Sequence, residues 1–426
     1  MSRRAGAQNS PVLAPSRRAL ASALRFPLAL YATVAVALFV VVRYSVDHLP
    51  FAAVPGHPFP DHRWFEGWAK WDTGWYYGIA NDGYTYSGPG AQSPVAFFPA
   101  YPFLTRLIDR VFPGDALHAG VLLSFLAGVT AVLLFNRWAT GAFGKRVGRW
   151  ATALLVLYPF SFYLFGAVYS DALFLCAVLS AFVLLEKDHP VLAGIVGAVA
   201  TAARPVGLAL TFALVIRSLE LRGLLGSYGV PRRLLAATAR RSATASPTPT
   251  PTRRRPRPGD LGVLLSVGGI AAYCALLAYR FGEPFAFAKV AGAPGWNRTV
   301  DLPTILKDDF FTYFENPDLN AIQGGLALQA FATLACIALV PAIVRRLGWG
   351  YAAYVAVVVG VPAASSSHFI GMGRYVLVAF PCFAVVADLV AGRKRRGIVL
   401  PVAVTAASAI GLVFMTSFFA RWYFLS

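Results

Sequence analysis

Charge is what this sequence has least of. Only 13% of its 426 residues are Asp, Glu, Lys or Arg, against the roughly 25% usual in a soluble domain, while 57% are hydrophobic. That balance excludes a water-soluble globular protein and leaves an integral membrane chain. Acid is scarcer still: 19 acidic residues stand against 38 basic ones, a net charge of +19. In a soluble protein that excess would indicate nucleic acid, but here position decides its meaning. About 25 of the 38 basic residues fall in five short segments between apolar runs, at 3–25, 137–149, 217–257, 345–346 and 393–396. Basic clusters between spans mark cytoplasmic loops, so no nucleic-acid partner is expected.

Other absences narrow the chemistry. The four cysteines, Cys176, Cys274, Cys336 and Cys382, all lie in apolar runs without CxxC spacing, which excludes a disulfide framework and a zinc site. No carboxylate pair stands at ligand spacing, so no metal is assigned. A Walker loop and a Rossmann fingerprint are both missing, hence no nucleotide-sugar site and no cofactor are expected. No internal repeat is visible, which weighs against a transporter. There is no lipidation motif. Arg17, Arg18 and Arg25 precede the apolar run 26–42 as in a signal peptide, yet Arg43-Tyr44-Ser45-Val46-Asp47 follows instead of a small-residue cleavage site; the run reads as an uncleaved first span.

What is present is a succession of apolar runs. A span needs about 20 residues to cross about 30 Å of hydrocarbon, and the candidates are 26–46, 117–136, 150–168, 171–186, 261–280, 323–344, 348–366, 373–391 and 397–418. With the basic tail 1–25 inside, residues 47–116 and 281–322 fall outside as two large loops, and the Arg/Pro-rich linker 217–259 stays inside against anionic lipid heads. The run 190–216 begins and ends inside but is too short for two full spans. It is expected to form two tilted half-spans with a bend at Ala203-Arg204-Pro205, where proline disfavours helix before it and removes a donor. The expectation is an all-α integral membrane bundle of about eleven crossings, its C-terminus outside.

Function should lie in polar segments that spanning does not require. The first loop holds Asp47, Asp61, Glu66, Asp72 and Asp82. Within it, Lys70 to Ala80 reads as a short amphipathic helix whose Trp71, Trp75 and Ile79 recur at i, i+4 and i+8, one apolar stripe suited to the bilayer interface. Asp72 and Tyr76 stand on the adjacent face, where an acid can meet a substrate with a lipid tail and a water-soluble head. The competing reading is an ordinary interfacial aromatic belt with a solvated Asp72. Asn81-Asp82-Gly83-Tyr84 follows as a turn, which by itself explains Asp82.

Ionisable groups near the membrane core are costly and tend to be functional. Asp171 sits at the outer tip of a predicted hairpin and could equally cap a helix. Arg204 falls at the predicted bend, where a guanidinium can pair two phosphate oxygens or simply snorkel. His368 and Arg374 lie in Ser-Ser-Ser-His-Phe-Ile-Gly-Met-Gly-Arg-Tyr at the outer end of a span, His368 being as readily a capping or packing residue. Under one topology Asp72, Asp171, Arg204, Trp296, Arg298 and Arg374 share the external side, which fits a phosphate-linked lipid donor.

The same residues carry a resemblance. WDTGWYYGIANDGY at 71–84 with FFPAYPFLTRL at 97–107, then YSDALF at 169–174, AARPVGL at 202–208, FGEPFAF and GWNR at 281–287 and 295–298, and MGRYVLVAFPCF at 372–383 together resemble the PIG-V family, the mannosyltransferase II enzymes of glycosylphosphatidylinositol assembly, and their bacterial relatives. Each motif alone is weak; the series runs through most of the chain. The resemblance implies a GT-C-type multispanning bundle that takes mannose, or another polyprenyl-linked sugar, from a polyprenyl phosphate on the non-cytoplasmic face. It implies Asp72 as catalytic base, Asp171 as the second acid, where many members carry Glu, and Arg204, Arg374 and Arg298 as donor-phosphate ligands. Trp71, Trp75, Tyr76, Asp82, Tyr101, Trp296 and His368 would line the substrate site. The acceptor would be a glycolipid, a polysaccharide or a protein, and the arginine-rich linker points to a bacterial plasma-membrane relative that does not make GPI anchors. A transporter or lipid flippase, and a scaffold docking through the linker, are the competing classes.

Overall fold

The computed structural model describes residues 17–52, 64–112, 114–226, 256–296, 302–315, 321–391 and 397–423. Among these there is no strand, and the chain forms an all-helical membrane bundle. The elements are α1 (Arg17–His48), α2 (Thr73–Asp82), α3 (Ala100–Val111), α4 (Ala116–Phe143), α5 (Lys145–Val156), α6 (Asp171–Glu186), α7 (Pro190–Ala203), α8 (Leu208–Leu221), α9 (Gly268–Phe281, continuing a 3-10 helix Pro258–Val267), α10 (Ala286–Lys289), α11 (Leu302–Leu306), α12 (Asp308–Glu315), α13 (Ala321–Leu347), α14 (Trp349–Ala364), α15 (Met372–Val378), α16 (Phe380–Ala391) and α17 (Val399–Ala420).

Five of the described helices are long and apolar enough to cross a membrane, or six if the bent pair α15–α16 is one span. The expected runs 26–46, 117–136, 261–280 and 323–344 each fall within one of the five, and 397–418 overlaps the fifth, which starts two residues later at Val399. The shorter α6 is buried along nearly its whole length, whereas α7, α8 and α14 each bury one face and leave large apolar side chains such as Ile195, Phe212 and Val361 exposed. The predicted half-spans are α7 and α8. Helix α7 ends at Ala203 because Pro205 forces Arg204 into extended backbone, φ −156° and ψ 145°. Gly207 lets the chain restart close by, since a Cβ there would stand 2.6 Å from the Ala200 carbonyl oxygen.

Two expectations are overturned. The run 150–168 is not a helix to its end: α5 stops at Val156, two residues before Tyr158-Pro159, and Tyr158–Ser170 continues as turns and one 3-10 helix, every residue buried. Irregular backbone at membrane depth survives only inside protein that satisfies its polar groups. Here Tyr31 donates to the Leu164 carbonyl at 2.7 Å, Ser161 to Val156 at 2.6 Å and Ser124 to Ala167 at 2.8 Å. Gly128 of α4 admits the segment, because a Cβ at that position would meet the Leu164 oxygen at 1.9 Å. The run 373–391 is likewise broken, bending by 71° between α15 and α16 ahead of Pro381. The Val378 carbonyl released by the break accepts from Tyr354 Oη at 3.0 Å.

Helix α6 joins the two ends of the bundle. Its 16 residues place Asp171 and Glu186 about 22 Å apart. At the Glu186 end a buried cluster ties three helices together: Arg217 donates to Glu186 at 2.7 Å and Glu220 at 3.1 Å, and Glu220 accepts the backbone N–H groups of Trp349 and Gly350. The basic stretches 137–149 and 345–346, expected as loops, are helix ends here and gather at this end: Trp138 donates to Tyr351 Oη, which donates to Glu186, and Arg217 donates to the Leu347 carbonyl. The Asp171 end carries Lys70–Thr73, Gly282–Trp296 and the Ser365–Gly371 loop. Of the linker, 227–255 lies outside the described residues, as does the tail 1–16; the rest of the predicted tail already belongs to α1.

Candidate active site

Four charged side chains from four separate segments form one chain of ion pairs. Arg374 donates from Nη1 to Asp72 Oδ2 at 2.8 Å and from Nε to Asp171 Oδ2 at 3.0 Å. Arg204 closes the series on Asp171 Oδ1. Each is delivered by a local break in the backbone. Arg374 lies in the first turn of α15, which begins after Gly371 at φ 81°, and Gly373 beside it seats the helix on Phe160, whose ring a Cβ would approach to 2.5 Å. Asp171 opens α6, where the helix dipole favours an anion. Asp72 precedes α2 and follows Trp71, a bulky residue held at φ 53°.

Burial separates the two acids. Asp171 is fully buried with both oxygens engaged, so it ties the arginines together; Asp72 keeps 28% of its side chain exposed and faces a cavity of about 590 Å³. That volume lies within the roughly 300–1,000 Å³ of small-molecule sites. Arg204 and Arg374 also line it, each sparsely exposed and each stacked on rings: Arg374 4.4 Å from the Tyr169 centroid, Arg204 4.6 Å from that of Tyr375. Such flat aromatic seats hold guanidinium groups in place in a weakly hydrated setting. Two acids and two arginines leave the cluster neutral, with two guanidinium faces toward a space that an anion can enter.

Of the residues singled out from sequence, Trp71, Asp72, Trp75, Tyr76, Arg204, Trp296, His368 and Arg374 line this cavity. Asp171 lies behind it between the two arginines, and two more are placed otherwise. Asp82 is the exposed last residue of α2 and does not reach the cavity; the expected turn at 81–84 is instead the helix end, with Gly83 as its C-cap. Tyr101 is buried behind Tyr76, its hydroxyl bound to the Gly120 carbonyl and Ser124, each at 2.8 Å, so it supports the wall without forming it. Arg298 lies outside the described residues. The helical stripe is also corrected. Because α2 begins at Thr73, Trp71 is not on it, and the buried face is Thr73, Tyr76, Ile79 and Ala80, turned into the protein instead of the bilayer. Trp75 stacks on Phe97 at 5.7 Å and meets Trp296 edge-on at 5.8 Å, which joins the two predicted outer loops across the cavity. Burial pushes the Tyr76 phenol up, so it stays neutral while sharing a 3.0 Å hydrogen bond with Ser170.

Several contributors escaped sequence reasoning. Tyr163 lies in the run read as membrane span, Tyr169 stands just past it at the predicted hairpin tip with no role assigned, Ser365–Ser367 and Gln92 have no distinguishing pattern, and Trp422 follows α17, far from the other motifs. The only available signal was a cluster of aromatics with Arg421 near 418–424. Among the described residues no group of three or more His, Cys, Asp or Glu side chains gathers as metal ligands.

Neither a protein-family model nor a curated protein matches the chain. Solved structures do match. ArnT from Cupriavidus metallidurans, solved bound to undecaprenyl phosphate, superposes with a TM-score of 0.51 at 16% identity, covering 92% of this chain and 76% of ArnT. The Archaeoglobus fulgidus oligosaccharyltransferase in its apo form gives a TM-score of 0.44 at 14% identity, covering 93% of this chain and 56% of that enzyme, so this chain spans little more than half its length. The same enzyme, AglB, in complex with an inhibitory peptide and a dolichol-phosphate gives 0.43 at 14%, over 92% and 55%. At these identities the likeness is one of architecture: the chain has the multispanning helical fold of the GT-C glycosyltransferases.

Proposed function

We propose that this chain is an inverting glycosyltransferase of the PIG-V kind, moving mannose from a polyprenyl-phosphate-mannose donor to an acceptor hydroxyl on the non-cytoplasmic face. The observation that carries it is the Asp72–Arg374–Asp171–Arg204 chain of ion pairs opening on an aromatic-walled cavity at one end of the bundle. What favours this reading over a transporter is the place of those charges, at the end of α6 instead of midway along a span. The basic stretches at the other end favour an external site by the positive-inside rule.

In this mechanism the donor phosphate engages Arg374 and Arg204. Phosphate competes with Asp72 for Arg374 Nη1, so donor binding releases the carboxylate oxygen that arginine otherwise occupies. Asp72 then takes the proton of the acceptor hydroxyl, the oxygen attacks the anomeric carbon, and the bond to phosphate breaks with its electron pair going to the polyprenyl phosphate. The guanidinium groups hold the charge that develops there. A β-linked mannosyl donor gives an α-mannoside. Tyr169, under Arg374, and Asp171, between the arginines, keep both cations in place.

The test is transfer of labelled sugar from polyprenyl-phosphate mannose by the purified protein. Transfer that depends on Asp72 supports the proposal. Transport of a solute or lipid across vesicles with no sugar transfer would replace it by the transporter reading. Equal transfer from another polyprenyl-linked sugar would keep the enzyme and remove mannose.

A further inference from the structure

The lysine ahead of the Trp71–Asp72 turn has no part in the chemistry above, yet it is wholly buried. Lys70 is 0% exposed and its ammonium makes no hydrogen bond. What it meets is Glu66 Oε1 at 3.7 Å, the Trp422 ring centroid at 4.7 Å and the Phe51 centroid at 5.6 Å. A buried cation without hydrogen bonds is costly to fold.

Two left-handed tryptophans lie beside it. Trp71 has φ 53° and Trp422 has φ 68°, conformations that bulky residues seldom adopt without surrounding restraint. Their rings meet edge-on at 5.3 Å and both line the cavity. Lys70 grips this pair from both sides. Its ammonium lies against Trp422, and its carbonyl accepts from Tyr169 Oη at 3.1 Å, the same hydroxyl that accepts the Asp72 N–H at 3.1 Å.

We propose that Lys70 is a positioning residue: its buried ammonium, held on Trp422 and Phe51 beside Glu66, keeps the Trp71 turn in its left-handed backbone and so sets the Asp72 carboxylate against Arg374. The inference rests on the reading of Asp72 as the base. Its distinguishing claim is that positive charge is needed and volume alone does not suffice, because the attraction to the Trp422 face vanishes in a neutral amine. One acid stands against that charge. Glu66 is the acid that faces it, Arg421 turns its guanidinium to the Pro50 and Ser417 carbonyls, and Asp47 before Phe51 is bound by Arg43 at 2.7 Å. Burial pushes the ammonium down to about 8, with Glu66 acting the other way, so the clamp opens just above neutral pH.

The experiment compares full-length wild type, Lys70→Arg and Lys70→Met in lipid nanodiscs, reading tryptophan fluorescence and the kcat and KM of sugar transfer from about pH 6.5 to 9.5. Wild type is expected to show a fluorescence transition near the pH of about 8 at which Lys70 loses its proton. With it, kcat should fall by about tenfold or more, the scale of a misplaced catalytic group, while the donor KM holds. Lys70→Arg, always charged, should lose the transition and keep its kcat at alkaline pH. Lys70→Met should lose the transition and have a low kcat throughout. A wild-type transition that persists in both variants, or a wild type with no transition, overturns the proposal, as does a Lys70→Met variant with wild-type kcat. If no polyprenyl-linked sugar is transferred by any form, the proposed function falls while the fluorescence comparison still decides the clamp; a Lys70→Met variant that fails to fold leaves the wild-type and arginine titrations to decide it.

Discussion

Arg374 reaches across 302 residues of sequence to hold Asp72 at 2.8 Å, and with its Nε it holds Asp171 as well. One guanidinium thus fixes the exposed acid and the buried one at once. The outcomes expected of the site follow from that double grip.

Asp72→Asn should separate chemistry from binding. Removing the proton acceptor should lower transfer by at least about 100-fold, the lower range for a lost general base. The same change weakens the competitor for Arg374, so polyprenyl phosphate should bind the variant at least as tightly as wild type. Equilibrium binding of labelled polyprenyl phosphate checks this. Affinity reduced in parallel with activity would mean that Asp72 is a ligand for the donor and not its rival.

Donor should bind before acceptor. Arg374 occupies Asp72 Oδ2 until an anion draws it away, so polyprenyl phosphate should be competitive with the donor and mixed, not uncompetitive, with the acceptor. Steady-state inhibition patterns decide this. Productive acceptor binding in the absence of any lipid phosphate would contradict it.

Arg374→Lys should behave nearly as badly as Arg374→Ala. A lysine has one compact ammonium where Arg374 presents separate N–H groups to two carboxylates and a planar face to Tyr169. Donor affinity is expected to fall by about tenfold or more in both, an interaction loss of about 1.4 kcal/mol. Recovery of wild-type affinity by lysine would reduce the role of Arg374 to simple charge.

Glu220→Ala should damage stability and spare chemistry. Glu220 and Arg217 are both about 1% exposed in their side chains; losing Glu220 leaves Arg217 with Glu186 as its acid and strips the Trp349 and Gly350 N–H groups of their acceptor. Each buried N–H left without its acceptor costs about 1–3 kcal/mol. A markedly lower melting temperature with unchanged donor KM in the surviving folded protein is expected, since α6 puts this cluster about 22 Å from Asp171.

Gly128→Ala should show what the irregular segment costs to perturb. The new methyl would lie 1.9 Å from the Leu164 carbonyl oxygen, so backbone has to move. Overpacking of this kind costs about 1–3 kcal/mol. Because Tyr163 and Tyr169 sit on the displaced segment beneath Arg374, activity should fall further than thermal stability alone explains.

Linear sequence carried much of this molecule. Uninterrupted apolarity marked the long spans, because crossing hydrocarbon requires about 20 such residues whatever their neighbours. Pro205 marked the end of α7 and the extended Arg204, a restriction that acts between adjacent residues. Asp72, Arg204 and Arg374 stood out because charge in a lipid setting needs a partner, although the partners themselves were not legible. Only folding decided that Tyr158–Ser170, as apolar as any span, would run as buried irregular backbone, since its Leu164 and Ala167 carbonyls are met by Tyr31 and Ser124 from other helices and its own Ser161 serves the end of α5. Folding also chose which acid faces the cavity and which is sealed behind two arginines. That choice depends on how α6, α15 and the Trp71 turn approach one another, and no periodicity along the chain encodes a distance across 302 residues.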